Sequence, residues 1–165
     1  MRVVRVAVPA EPLLEADERT VVVEQVASTH QVKHTAAIGT RYDSADSASV
    51  QVFLAALPAG DVLRLFDRRV LTGAHDPESV AEYQRILEAV RDNGYAVNDG
   101  RTSAEEVGLA APVRDHRGET VAAVLLSAPR FRISTQMLEP LARTVADAGQ
   151  EIGIRLGYRS GTATG

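Results

Sequence analysis

The sequence predicts an α+β domain built on an antiparallel sheet, with helices grouped rather than interleaved between strands. Three observations lead there. Strand-like apolar runs come in two blocks, one before Gly39 and one after Gly94. Segments of helical period stand between and after those blocks, so the chain does not alternate as parallel βαβ units require. The stretch VGLAAPVRDHRGETVAAVLLSAP, Val107 to Pro129, sets two apolar runs around a charged segment with Gly118 near its end. That is the pattern of a β-hairpin.

The elements follow in order. Arg2 to Val8 alternates, with Val3, Val4, Val6 and Val8, and reads as a strand. Pro9 to Arg19 carries prolines and acidic side chains and reads as an exposed loop. Thr20 to Val26 (TVVVEQV) is rich in β-branched residues, and Gln31 to Ile38 (QVKHTAAI) reads as a third strand closed by Gly39. Between Ser44 and Leu57 apolar residues recur three and four apart at Val50, Phe53, Leu54 and Leu57, which fits a helix. Ser44, Asp46 and Ser47 are its cap candidates, and Pro58-Ala59-Gly60 ends it. Asp61 to Phe66 is a short second helix. A third begins at an Asp76 cap with Pro77 in the first turn, buries Val80, Tyr83, Leu87 and Val90, and stops at Gly94. Tyr95 to Asn98 is a strand, and Asn98-Asp99-Gly100 opens a polar loop into the hairpin. Ser134 caps the last helix, whose stripe is Leu138, Leu141, Val145, Ala148, Ile152 and Leu156, with Gly157 ending it.

In the hairpin, pairing Arg114 with Glu119 separates two faces. One holds Val107, Leu109, Ala111 and Val113 with Thr120, Ala122, Val124 and Leu126, bulky enough for a core. The other holds Glu106, Gly108, Ala110 and Pro112 with Val121, Ala123, Leu125 and Ser127. Its side chains are smaller, with polar groups at one end. Such a face leaves room for a guest molecule, or lets a helix approach closely.

Composition narrows the function. At 165 residues the chain is one domain, long enough to bury about two-thirds of its unfolded surface. Its net charge of -4, with Arg68-Arg69 the only adjacent basic pair, gives no footprint for nucleic acid. It has no cysteine, which excludes disulfides, thiolate metal sites and cysteine nucleophiles. No apolar run is long enough to span a membrane, and no secretion signal opens the chain, so the expected location is cytoplasmic.

Catalytic patterns are missing. No nucleophile elbow, zinc-protease motif or phosphate loop occurs. Glu105 and Glu106 are adjacent and would point to opposite faces of a strand, which speaks against a shared-proton pair. His30 and His34 are not expected to share a metal, while His75 and His116 read as a structural and a solvated side chain. His34 lies inside an expected strand and is either a satisfied margin residue or a donor into a cleft. Arg130 and Arg132 read as surface residues able to meet an anion. The Ser44, Asp46, Ser47 and Ser49 cluster either caps a helix or, with the free N–H groups there, receives a carboxylate. No catalytic residue, metal or cofactor is expected.

The segment RDNGYAVNDG followed by the hairpin resembles the effector-binding domain of IclR-type bacterial transcription regulators. The pattern falls on Arg91, Gly94, Tyr95, Ala110, Ala111, Pro112, Val113, Asp115, Gly118, Ala122, Ala123, Val124 and Pro129. GTRYDSADSASVQVFLAALP resembles the family's G-x-x-x-P-L-H-A-T-A-x-G-K-A-L-L-A-x-L-P segment, and EIGIRLGY its closing helix. The resemblance implies a GAF-like α+β fold, a curved antiparallel sheet flanked by helices. It implies a small-molecule effector, an organic or aromatic acid, held on the concave face by His34, Ala48, Ser49, Asn98, Glu106, Gly108, Leu125 and Ser127. It also implies a homodimer or homotetramer, and contact with DNA only through a winged helix-turn-helix that this chain does not contain.

Departures stand at Asp43 to Gln51, where the family's Pro, His, second Gly and Lys are replaced. Glu105 stands where a Gly is usual, and Arg101 where an acidic residue is usual. Asp46 and Glu106 would repel an acid unless Arg101 or His34 compensates. Residues 1–158 are expected to form the effector domain, as a fragment of a regulator or a free-standing sensor, and 159–165 a disordered tail. The alternatives are a free-standing dimerisation module and, behind it, an enzyme.

Overall fold

The computed structural model describes residues 3–9, 20–26, 29, 37–68 and 77–159. Among them, six strands form one antiparallel sheet: β1 (Val3–Pro9), β2 (Thr20–Val26), β3 (Arg41–Tyr42), β4 (Ala96–Asp99), β5 (Glu106–Arg114) and β6 (Thr120–Pro129). Their order is β3-β2-β1-β6-β5-β4. The helices are α1 (Ala48–Ala55), α2 (Ala59–Asp67), α3 (Pro77–Asn93) and α4 (Thr135–Arg155), with a short 3-10 turn at Arg130–Arg132. The α+β class and antiparallel sheet read from the sequence are those of the molecule.

The sheet curls around α1. Oγ of Ser49 lies 3.1 Å from Oγ1 of Thr20 on β2. A Cβ added to Gly108 on β5 would lie 4.0 Å from Cβ of Ala48. β2 and β5 are three strand spacings apart, about 14 Å in a flat sheet. Adjacent residues of one helix reach both only because the sheet wraps over it.

Each face of the sheet has its own core. On the α4 side, Val107, Leu109, Ala111, Val113, Val124, Leu126 and Ala128 pack with Leu141, Ala142 and Val145. On the α1 side, Ala7, Ala110, Ala123 and Leu125 join Phe53, Leu54, Leu87 and their neighbours. Small side chains at 110 and 123 let α1 approach closely, and every α1 residue is buried. Arg91 of α3 ties the layer together by donating from Nε to the carbonyl of Ala55, the last residue of α1, at 2.8 Å. Gly94 ends α3 at φ +76°, the left-handed conformation that stops a helix.

Several expectations need correction. The hairpin is two residues out of the expected register. Val107 faces Ala128, Leu109 faces Leu126, Gly108 faces Ser127 and Arg114 faces Thr120, with a bulge after Val113. The turn explains it. Asp115 accepts the N–H of Arg117 at 2.9 Å and of Glu119 at 3.2 Å. The N–H of Asp115 donates to Glu119 at 3.0 Å, so Asp115 and not Arg114 closes the loop. A slip of two keeps every side chain on its face, so the two faces survive except at Thr120 and Val121 beside the bulge.

α1 is shorter than Ser44 to Leu57. Ser44 to Asp46 form a turn in which the N–H of Asp46 donates to Oγ of Ser44 at 3.2 Å. Pro58 begins α2, which reaches from Ala59 to Asp67 rather than from Asp61 to Phe66. β4 runs from Ala96 to Asp99, one residue later than expected.

On α4 the expected stripe fails at its end. Ile152 and Leu156 are 37% and 48% exposed, while Gly149 and Gly153 are buried. The last turns meet β5 through backbone contact rather than through large side chains. The strand expected over Gln31 to Ile38 falls mostly outside the described residues, and the short β3 is found at Arg41–Tyr42. His30, His34, His75, Asp76 and residues 160–165 also lie outside them, as does nearly all of the expected loop 9–19.

Candidate functional site

The polar margin of the α1-side face is built by three strands and one helix start. Asn98 on β4, Gly108 on β5 and Ser127 on β6 stand in one row across the sheet. Asn98 and Ser127 are buried, as are Ala48 and Ser49 opposite. A Cβ at Gly108 would lie 3.7 Å from Cβ of Asn98 and 4.0 Å from Cβ of Ala48, so the row lies against the start of α1. Leu125 belongs to the core below, and Glu106 is half-buried at the end of β5. Of the eight residues carried over from the family, seven are therefore described; Ala48, Ser49 and Gly108 meet at the first turn of α1, with Asn98 and Ser127 in the same row as Gly108. His34 lies outside the described residues.

The helix start is unusual in its chemistry. Ser47 occupies the N-cap position of α1, yet its hydroxyl makes no capping bond and no acidic residue stands in the first turn. Its Oγ instead meets Oγ of Ser49 at 3.1 Å, and Ser49 meets Thr20 at 3.1 Å. Three buried hydroxyls thus form a relay at the positive end of a buried helix. Ser49 was legible in the sequence. Thr20 was not, because only the curl of the sheet brings it to α1.

Below the relay, Gln51 is 1% exposed and donates from Nε2 to the carbonyl of Ala45 at 3.3 Å. Its Oε1 is buried with no hydrogen-bond partner among the described residues. Tyr83 donates to the same carbonyl at 2.7 Å. Burial pushes the Tyr83 phenol far above its ordinary range, with Asp46 adding to the effect and Arg101 opposing it, so it stays a neutral donor.

Asn98 organises the loop after β4. Its Oδ1 accepts from the N–H of Arg101 at 2.9 Å and Thr102 at 3.4 Å, and its Nδ2 donates to the Thr102 hydroxyl. That loop carries Arg101 back to Asp46, Nε to Oδ1, at 2.9 Å. The replacement residues at these two positions therefore compensate each other, and the charge of Asp46 is answered. A cavity of about 210 Å³ opens beside this pair, with Ala45, Tyr83 and Glu82 among its walls. Arg130, a candidate anion holder, pairs with Asp99 at 3.1 Å, and Arg132 lies over the ring of Phe131, 5.2 Å from its centroid.

Among the described residues no helix is long and apolar enough to cross a membrane. The chain matches the family described as bacterial transcriptional regulator IclR C-terminal over residues 14–154. It is 26% identical over 145 residues to the transcriptional repressor IclR of Escherichia coli K12, covering 87% of this chain and 53% of that protein. It is 22% identical over 151 residues to the transcriptional regulator KipR of Bacillus subtilis 168, covering 88% of this chain and 59% of that one. The chain thus spans a little over half the length of these relatives, which are regulators and not enzymes. A crystal structure of an IclR-family transcriptional regulator domain superposes with a TM-score of 0.87 at 41% identity, covering 97% of this chain and 89% of that one. Matched along most of its length in sequence and in fold, the chain belongs to the IclR family of bacterial transcriptional regulators, as its C-terminal domain.

Proposed function

We propose that this domain senses a small organic or aromatic acid at the first turn of α1 and passes its occupancy to DNA binding through rearrangement of a homo-oligomer. The observation that carries the reading is the hydroxyl relay of Thr20, Ser49 and Ser47 at a helix start without a side-chain cap. The first N–H groups of a helix have no intrahelical acceptor, and with the hydroxyls they suit a carboxylate. Two further features support it. Gly108 leaves that row without a side chain, and the Arg101–Asp46 pair removes the repulsion an acid would meet. His34, Asn98, Glu106, Leu125 and Ser127 are proposed to line the rest. Regulation of DNA would run through a winged helix-turn-helix outside this chain, in the cytoplasm. The mechanism needs two oligomer arrangements to which the acid binds with different affinity.

Thermal-shift titration of the chain with a panel of small aliphatic and aromatic acids tests the site. At least one acid is expected to raise Tm saturably, and Ser49→Ala to weaken that acid about tenfold, the cost of a lost hydrogen bond to a charged group. No Tm rise with any acid, or a rise that Ser49→Ala leaves unchanged, removes the proposal.

A further inference from the structure

We infer a second small-molecule site, at the free edge of β5 beside α4, that takes a zwitterion with the chemistry of a free amino acid. β4 begins at Ala96, opposite Ala110, so the last four residues of β5 run on past the end of that strand. α4 crosses over them at close range. A Cβ on Gly149 would lie 2.7 Å from the carbonyl oxygen of Pro112, and one on Gly153 2.9 Å from that of Arg114. Between the end of α3, this run of β5 and the outer side of α4 lies a cavity of about 520 Å³.

Two of its charged groups, Arg114 and Asp147, do not pair with each other. Arg114 is half-buried, with its guanidinium carbon 5.8 Å from the centroid of the Tyr158 ring. The main chain at Tyr158 is held by its N–H, which donates to the carbonyl of Gly153 at 2.9 Å. Among the described residues Arg114 makes no ion pair. Asp147 borders the same cavity from α4. Arg143, one turn before it, is turned to Glu139, with Nε and Nη2 at 3.2 and 2.7 Å from Oε1. Asp147 makes no ion pair within 4.0 Å among the described residues, although its charge acts on Arg143, and it does not pair with Arg114.

A guanidinium and a carboxylate that share a cavity without meeting select a ligand bearing both signs. Its carboxylate would lie on Arg114, where a fork of two N–H groups suits it. Its ammonium would lie on Asp147 and toward Asn93 and Gly94, at the negative end of the α3 dipole. A pure anion would face Asp147, and a pure cation Arg114 and Arg143. The site shares no lining residue with the acid site, which lies four residues back along β5 at Gly108.

The test is a ¹⁵N NMR titration of the full chain with the proteinogenic amino acids, one at a time. At least one is expected to shift the amides of Gly94, Arg114, Asp147 and Tyr158 saturably. Its N-acetyl and carboxamide derivatives should bind about tenfold or more weakly, since each lacks one charge. Arg114→Gln should abolish the shifts, and Asp147→Asn, on the exposed side of α4, should weaken binding without altering the fold. Shifts confined to Gly108 and Ser127 would move the ligand to the acid site and overturn this one. So would equal binding of the derivatives, or no shift with any amino acid.

Discussion

At the scale of single residues, burial decides what a side chain can do. Tyr83 is 3% exposed, packs edge-on against Phe66 with ring centroids 5.1 Å apart, and donates to the Ala45 carbonyl. Its phenol is pushed up by burial, and that fixes a sign. Below the ordinary value of 10.0 the group is neutral in both states. Above it the unfolded chain ionises while the folded one resists, so stability falls as pH rises. Tyr83→Phe is expected to cost about 1 kcal/mol at neutral pH, since the carbonyl keeps Gln51 as donor. The same variant should flatten the alkaline part of a denaturation series, and an unchanged alkaline slope would contradict this account.

Asp115 gives the opposite sign. Its partial desolvation would raise it, but the N–H groups of Arg117 and Glu119 and the Arg117 guanidinium outweigh that and hold it below 3.8. Its contribution is present at neutral pH and lost as pH falls through the lowered value. Asp115→Asn should therefore lower Tm at pH 7, with parent and variant converging in acid.

At the scale of elements, the contact of α4 with β5 rests on two glycines. Gly149→Ala adds a methyl 2.7 Å from a backbone oxygen, which cannot rotate away. Alanine in place of glycine gains about 1 kcal/mol of helix propensity, while overpacking costs about 1–3 kcal/mol. The clash is expected to win, so urea unfolding should show a net loss; a more stable variant would mean that α4 sits loosely. The pairing also explains the misjudged stripe. Apolar period alone pointed to Ile152 and Leu156, but the helix is closest to the strand where it has no side chain. The hairpin shows the reverse case. Its register was misjudged by two residues and its faces were still correct, because strand side chains repeat every two.

At the scale of the whole molecule, the curled sheet decides what the slender face of the hairpin is for. Its middle, at Ala110 and Ala123, is filled by α1, and its margin, at Gly108 and Ser127, meets the start of that helix. Gly108→Leu tests the difference between a sensor and a scaffold. The added side chain should abolish acid binding in calorimetry while the fold and oligomeric state persist. A variant that binds acids like the parent would leave that row without a role in recognition.

The sequence by itself determined most of the strand and helix blocks, the place of the hairpin turn, the two hairpin faces and the family, because these depend on neighbours within a few residues. Only the tertiary structure decided that small residues at 110 and 123 serve helix packing. It alone also brought Thr20 to Ser49, joined Arg101 to Asp46, and left Arg114 and Asp147 apart beside one cavity. Those outcomes depend on the curl of the sheet and on where charges find partners, and such long-range geometry leaves no period in a sequence.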